Sequence, residues 1–208
     1  MSTQAPRRDG PGRPRDPHAD TAILRAAVEV LIERGVDNAS MESIAKRAGV
    51  AKVTVYKRWK TKEDLLAQAI EHARDDIPGV PPTTSAATLP GLLEAMLPAW
   101  GAALADPRYR LLSARLLGAG PSHPALLDAY WRHHVEPRRE RSRALLAQAQ
   151  AAGVLPATAD LDILLDMLNG AIMHHLLLEP ASSVPDATAL TTYLRRLLRQ
   201  AGFPLAET

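Results

Sequence analysis

The chain has 208 residues and no cysteine, which excludes disulfide cross-links, and its 25 basic and 23 acidic side chains leave a formal net charge of only +2. No window approaches the roughly 18–20 uninterrupted apolar residues of a membrane span, and the basic, Pro/Gly-rich leading segment has no apolar signal core. A bilayer span and secretion are thereby disfavoured, and a cytoplasmic location is expected. The near-neutral sum conceals an asymmetry. Residues 1–75 hold 14 basic and 11 acidic groups, and residues 76–208 hold 11 and 12. The length suits one small and one larger domain, each with a core.

Residues 1–16 are too rich in proline, glycine and charge to pack, so a disordered basic arm is expected. Its Gly12-Arg13-Pro14, flanked by Arg7, Arg8 and Arg15, has the composition of a strand that lays arginine into an A·T-rich minor groove. General electrostatic attraction to DNA is the equal alternative. Asp16-Pro17 then offers an N-cap followed by proline at the first helical position. Ala22, Ile23, Ala26, Ala27, Val30 and Leu31 form the stripe of a first helix that stops at Gly35.

Ser40 to Lys62 is the most informative stretch. Met41, Ile44 and Ala45 recur at helical spacing, Gly49 supplies a residue able to adopt a left-handed backbone, and Val53, Val55, Tyr56 and Trp59 are expected to form the inward face of the next helix. Two short helices joined by a tight turn are the pattern of a helix-turn-helix. Lys46, Arg47, Lys52, Lys57, Arg58, Lys60 and Lys62 stand against only Glu42, a balance that suits a polyanion. A merely solvated pair of surface helices is the competing reading of those charges. Thr61 can cap a fourth helix by accepting from the Asp64 N–H, with the Asp64 carboxylate reaching back.

With Ile23-Leu24, Ala26-Ala27, Gly35, Ile44-Ala45, Ala48-Gly49-Val50, Thr54-Val55-Tyr56, Trp59, Lys62-Glu63 and Leu65-Leu66 in this order, residues 20–70 resemble the DNA-binding domain of the TetR (tetracycline-repressor-like) family of bacterial transcription regulators. Two residues depart from the family pattern. Ala51 stands where many relatives carry a capping serine, and Glu42 puts an acid at a helix position that contacts DNA in some members. The resemblance implies an all-α protein of about nine helices. Residues 17–76 would form a three-helix helix-turn-helix domain with the start of a connecting helix, and residues 77–208 a larger effector-binding and dimerisation domain.

After the connector Ile77-Pro-Gly-Val-Pro-Pro, helices are expected at about 88–105, 107–118, 123–152, 160–179 and 186–201. Pro98 should bend its helix, and Pro137 should bend or split its own. In 160–179 one stripe comprises Leu161, Leu164, Leu165, Leu168, Ile172 and Leu176, and a second comprises Ile163, Met167, Ala171 and Leu178. A helix apolar on both sides must be covered on both sides. In the last helix Leu190, Tyr193, Leu194, Leu197 and Leu198 oppose a polar face. The resemblance implies that two such helices per subunit form a four-helix dimer seam, with Leu161, Leu164, Leu165, Leu168, Ile172, Leu190, Tyr193, Leu194 and Leu197 in it. Core packing within one chain is the alternative.

Carried over residue by residue, the resemblance assigns Lys52, Thr54, Tyr56, Lys57 and Arg58 as recognition-helix contacts, Ser40 and Lys62 as phosphate clamps, and Val53, Val55 and Trp59 as core. Arg13 would add the arm's contact. A homodimer would bring two such heads to a palindromic operator on double-stranded DNA. A small-molecule effector would be held by Met96, Trp100, Leu104, Leu116, Tyr130, Trp131, His134, Met167 and His174 and would act through the helix that begins at Thr61; ordinary core packing is the alternative for each.

No cofactor and no metal are expected. His133-His134 and His174-His175 are adjacent pairs, and neighbouring helical residues point about 100° apart, so neither pair chelates by itself. Nucleophile-elbow, phosphate-loop, dinucleotide and zinc-protease motifs are absent from the sequence, so no enzyme is expected. The functional expectation is a ligand-responsive repressor, with a DNA-binding protein lacking an effector as the alternative.

Overall fold

A computed structural model describes residues 17–74, 77–79, 81, 85, 88–180 and 185–205. Among these, the regular elements are all helical: α1 (Pro17–Arg34), α2 (Met41–Ala48), α3 (Lys52–Tyr56), α4 (Lys62–His72), α5 (Leu89–Ala105), α6 (Pro107–Ala119), α7 (Pro124–Tyr130), α8 (Glu136–Ala151), α9 (Leu161–Met173) and α10 (Ala187–Gln200). A π-turn at Trp131–Val135 joins α7 to α8, and a second at His174–Leu178 prolongs α9.

Local chemistry explains the boundaries. The Ser40 hydroxyl accepts from the Ser43 N–H at 3.1 Å while the Ser43 hydroxyl accepts from the Ser40 N–H, a reciprocal cap on α2 of the kind that contributes about 1 kcal/mol. Gly49 ends that helix at φ 68°, and the Val50 N–H reaches back to the Ala45 carbonyl at 3.1 Å. Ala51 gives α3 no side-chain cap, and α3 is only five residues long. Thr61 accepts from the Asp64 N–H at 3.1 Å as expected, without the return bond from Asp64. Asp106 accepts from the Arg108 N–H at 2.8 Å and so starts α6 at Pro107.

The two interior prolines behave differently. Pro98 lies within an unbroken α5. Pro137 lies in the first turn of α8, directly after the π-turn. Proline has no N–H to donate, and its ring collides with the carbonyl four residues back. The wider turn over Trp131–Val135 accommodates that defect, and the backbone runs from α7 into α8 through right-handed helical angles, without the expected split.

Two cores result. In the first, Ile23, Ala27, Leu31, Ile44, Val55, Trp59, Leu65, Leu66 and Ile70 from α1–α4 pack with Leu112 and Leu116 of α6 and Leu126, Ala129 and Tyr130 of α7. The second gathers α5, α8, α9 and α10 around Leu93, Leu97, Leu146, Leu165, Leu176, Leu190, Leu194 and Phe203. The boundary expected at residue 76 therefore falls between α4 and α5 in the chain, while α6 and α7 help to close the N-terminal core. Gly101 lets α5 and α10 touch: a Cβ there would lie 2.6 Å from the Ala187 carbonyl oxygen and 2.9 Å from the Thr191 nitrogen.

The apolar stripes of α9 and α10 are oriented differently from expectation. Leu161, Leu164, Leu165, Leu190 and Leu194 are buried within the single chain, Leu168, Ile172 and Tyr193 are half-buried against the same core, and Leu197 is half-buried. Only the second stripe of α9 lies open, with Ile163 55%, Met167 64% and Leu178 73% exposed. The cause is the amphipathic α10, whose Leu190, Leu194 and Leu198 line the second core with α5 and α9. Among the described residues one helix, Leu161–Leu178, is by length and composition apolar enough to cross a membrane.

Candidate nucleic-acid interface

The N-terminal head is tied together by much of the charge that the sequence offers to DNA. Arg47 donates to both Glu33 oxygens at 2.7 and 2.6 Å and to Glu29 at 3.3 Å, joining α2 to α1. The Arg47 guanidinium in turn holds the Glu33 carboxyl below its ordinary range. Arg58 pairs with Asp20 and donates to the Thr54 carbonyl at 3.1 Å, with its side chain mostly covered. The Lys62 ammonium donates to the Val36 carbonyl at 3.0 Å. Trp59 Nε1 donates to Gln68 Oε1 at 2.6 Å and locks the end of the helix-turn-helix onto α4.

Arg58 and Lys62, expected as DNA contacts, are thus engaged within the head here. Each finds an intramolecular acceptor that lies far away in sequence, and both residues are half-buried. The Ser40 hydroxyl is likewise engaged as the α2 cap, although a hydroxyl that accepts can still donate. Arg13 lies outside the described residues.

What remains outward is a compact face on α3. Lys52, Val53, Tyr56 and Lys57 are exposed and Thr54 is half-buried. Val53 is 58% exposed and Tyr56 45%, so neither belongs to the inward face expected of them, while Val55 and Trp59 are buried as expected. The angular spacing carried the signal: Val53 and Val55 differ by about 200° around a helix, so both cannot point inward. Val53 is a candidate contact missed from the sequence, since an aliphatic side chain on a reading helix can meet a thymine methyl. Lys52 pairs with Glu42 across the turn and lies 5.4 Å from the Tyr56 ring centroid. Lys46 and Lys60 add exposed charge beside this face.

The residues expected around an effector do not converge. Met96, Leu104, Leu116 and Tyr130 are buried in packed core, and Trp100 is half-buried with its indole N–H donating to the Pro78 carbonyl at 2.7 Å. Trp131 is 48% exposed, Met167 is exposed on α9 and His174 just after it, and none of the three lines either of the two cavities that follow. His134 alone borders a recess, about 180 Å³, with Leu24, Gln68, Glu71 and His72. A larger open cleft of about 340 Å³ lies elsewhere, between the end of α4 and the α5–α6 corner, lined by Ala73, Ile77, Ala99, Ala102, Ala103, Asp106 and Tyr109. Burial raises the Tyr109 phenol above its ordinary pKa, so it remains a neutral donor.

Two ties connect α4 to the rest of the chain beside these cavities. Arg138 of α8 grips Glu71 at 2.5 and 2.6 Å and donates to the Tyr130 hydroxyl at 3.2 Å. Arg74, just past α4, donates to the Tyr109 hydroxyl and stacks 5.5 Å from that ring's centroid. The histidine pairs make ring contacts, at 6.3 Å for His133–His134 and 5.5 Å for His174–His175. Among the described residues no group of three metal-ligating side chains converges.

Comparison with known proteins agrees with this geometry. The family profile described as "Bacterial regulatory proteins, tetR family" matches residues 23–69, and "Tetracyclin repressor-like, C-terminal domain" matches residues 80–201. An HTH-type transcriptional regulator of Bacillus subtilis (strain 168), YdeS, is 32% identical over 169 residues, spanning 80% of this chain and 82% of that protein. A DNA-binding transcriptional repressor TetR of Mycobacteroides abscessus is 30% identical over 163 residues, 76% of this chain and 81% of its own length. The crystal structure of the TetR family transcription regulator SCO0332 superposes with a TM-score of 0.62 at 28% identity, covering 88% of this chain and 97% of that one. The reading helix, its bracing and these matches lead to one conclusion: the chain belongs to the TetR family of DNA-binding bacterial transcription regulators.

Proposed function

We propose that this regulator is a cytoplasmic, ligand-responsive repressor that binds a palindromic operator as a homodimer. The observation that carries the DNA-binding half is the outward face of α3, where Lys52, Val53, Thr54, Tyr56 and Lys57 lie on a head that Arg47, Arg58 and Lys62 hold together. Lys52 and Lys57 supply donors for guanine edges or phosphates, Val53 and Thr54 supply methyl groups, and Tyr56 supplies a hydroxyl for a phosphate. Residues 17–76 act as the reading head and residues 77–208 as the body that pairs and senses. The repressive sense is supported by the relative from Mycobacteroides abscessus, which is named a repressor.

Dimerisation is supported by the open stripe of α9, where Ile163, Met167 and Leu178 need a cover and a second copy provides one of matching chemistry. Ligand response is supported by the position of the α4–α5–α6 cleft. Its walls include Ala73 and Ile77 just beyond α4, and the neighbouring Arg74–Tyr109 tie would be strained or released by an occupant. A rotation of α4 moves the head it carries through Leu65, Leu66 and the Trp59–Gln68 bond. A regulator without an effector is the second reading, favoured by the dispersal of the expected lining residues and by the openness of the cleft to solvent. A mobility shift on the chain's own upstream DNA, with and without a panel of amphipathic aromatic compounds, tests the proposal. Retarded DNA that a compound releases is the expected result; retarded DNA that none releases favours the second reading, and no retardation refutes both.

A further inference from the structure

We propose that Glu42 and Lys52 read a single G·C base pair together, as one joined acceptor and donor, so that Glu42 is a specificity-determining residue of the interface. The inference rests on the DNA-binding reading above and deepens it. Glu42 lies in the first turn of α2 and Lys52 is the first residue of α3, the end of a recognition helix that reaches base edges. Their side chains meet across the Gly49 turn, at 52% and 55% exposure. The Tyr56 ring, 5.4 Å from the Lys52 ammonium, supports the same side chain from the next turn of α3.

An acid on a surface that faces DNA is unfavourable against most sequences, because the phosphates repel it. The Lys52 ammonium paired with Glu42, helped by a backbone N–H, holds its carboxyl below the ordinary range, so it meets DNA as a carboxylate that only accepts. In the major groove a G·C pair presents the N7 and O6 acceptors of guanine and, beside them, the N4 donor of cytosine. An ammonium with three donors can keep one on Glu42 and turn the others to guanine, while the carboxylate accepts from cytosine. The reversed C·G pair and the A·T pair place a carbonyl acceptor against the carboxylate, whereas a T·A pair keeps a donor there, the adenine amine, and sets the thymine methyl where the ammonium would meet guanine N7. The ion pair is therefore fully complementary to one base pair in one orientation, penalised on C·G and A·T, and short of one acceptor on T·A. As an exposed pair it adds little to folding, so its removal leaves the head intact.

Selection from a randomised duplex library with the full-length chain, Glu42→Ala and Lys52→Ala tests this. The wild type should fix one G·C pair in each half-site by roughly ten- to a hundredfold, and both variants should reduce that preference at the same position to less than about threefold. Glu42→Ala should also bind random DNA more tightly, and Lys52→Ala more weakly. Relaxation at two different positions, or a Glu42→Ala chain that gains affinity everywhere while keeping every base preference, would overturn the joint reading. A wild-type chain that enriches no sequence would instead overturn the DNA-binding proposal beneath it.

Discussion

Met167→Glu separates the open face of α9 from the core beneath it. Met167 is 64% exposed in the single chain, and burying a whole methionine stabilises by about 1.5–3 kcal/mol, so a covering partner gains about 1–2 kcal/mol from the exposed part. A two-fold interface counts every substitution twice, which makes about 2–4 kcal/mol and a 30- to 1,000-fold weaker dimer, before the desolvation of two facing carboxylates is added. Within the isolated chain the same side chain already faces water, and folding should change by no more than about 0.5 kcal/mol. Sedimentation across a concentration series, with urea unfolding of the monomer, measures both quantities. Helical monomers are expected. A Met167→Glu chain that dimerises like the wild type would refute the assignment of this face, and Leu194→Glu, placed in the core by Leu194's burial, should instead unfold the chain.

Gly101→Ala should destabilise the chain by about 1–3 kcal/mol or more in a urea melt, because the added Cβ meets the Ala187 carbonyl backbone, which cannot rotate away. Arg58→Ala should lower both the thermal midpoint and DNA affinity, since it removes the Asp20 and Thr54 bonds, whereas Lys57→Ala should lower affinity alone; an unchanged midpoint for Arg58→Ala contradicts its bracing role. Arg138→Ala leaves the Glu71 carboxylate half-buried without its grip and should cost about 1–3 kcal/mol of stability by urea titration. Burial pushes the His134 pKa below its ordinary 6.5, so the folded state binds fewer protons than the unfolded one around that pH. The stability from neutral His134 is complete above about pH 6.5 and is lost as pH falls below it, and His134→Asn should flatten that part of the stability–pH curve.

Sequence pattern captured the helices where a local signal marks each end. Gly49, Thr61 and Asp106-Pro107 terminate or start elements where their chemistry requires, and the helix expected over 123–152 runs through α7, the π-turn and α8. What pattern could not reach depends on partners distant in the chain. Arg58 reads as a free cation until Asp20, 38 residues earlier, is found against it, and Lys62 until Val36 is. With two apolar stripes on α9, periodicity states that both need cover and is silent about which one the chain itself covers. Pockets are harder still, because large side chains mark filled space, whereas the cleft is floored by Ala99, Ala102 and Ala103, whose small size leaves the room.

The most direct test of the account is a titration of the full-length chain on its selected palindrome and on the same duplex with one half-site scrambled, reading stoichiometry and affinity together. Two chains should bind the intact duplex, and scrambling one half-site should weaken binding by at least about tenfold, because the second head loses the effective concentration its partner provides. One chain bound per intact duplex, or equal affinity for the scrambled site, would contradict paired, sequence-specific reading by α3.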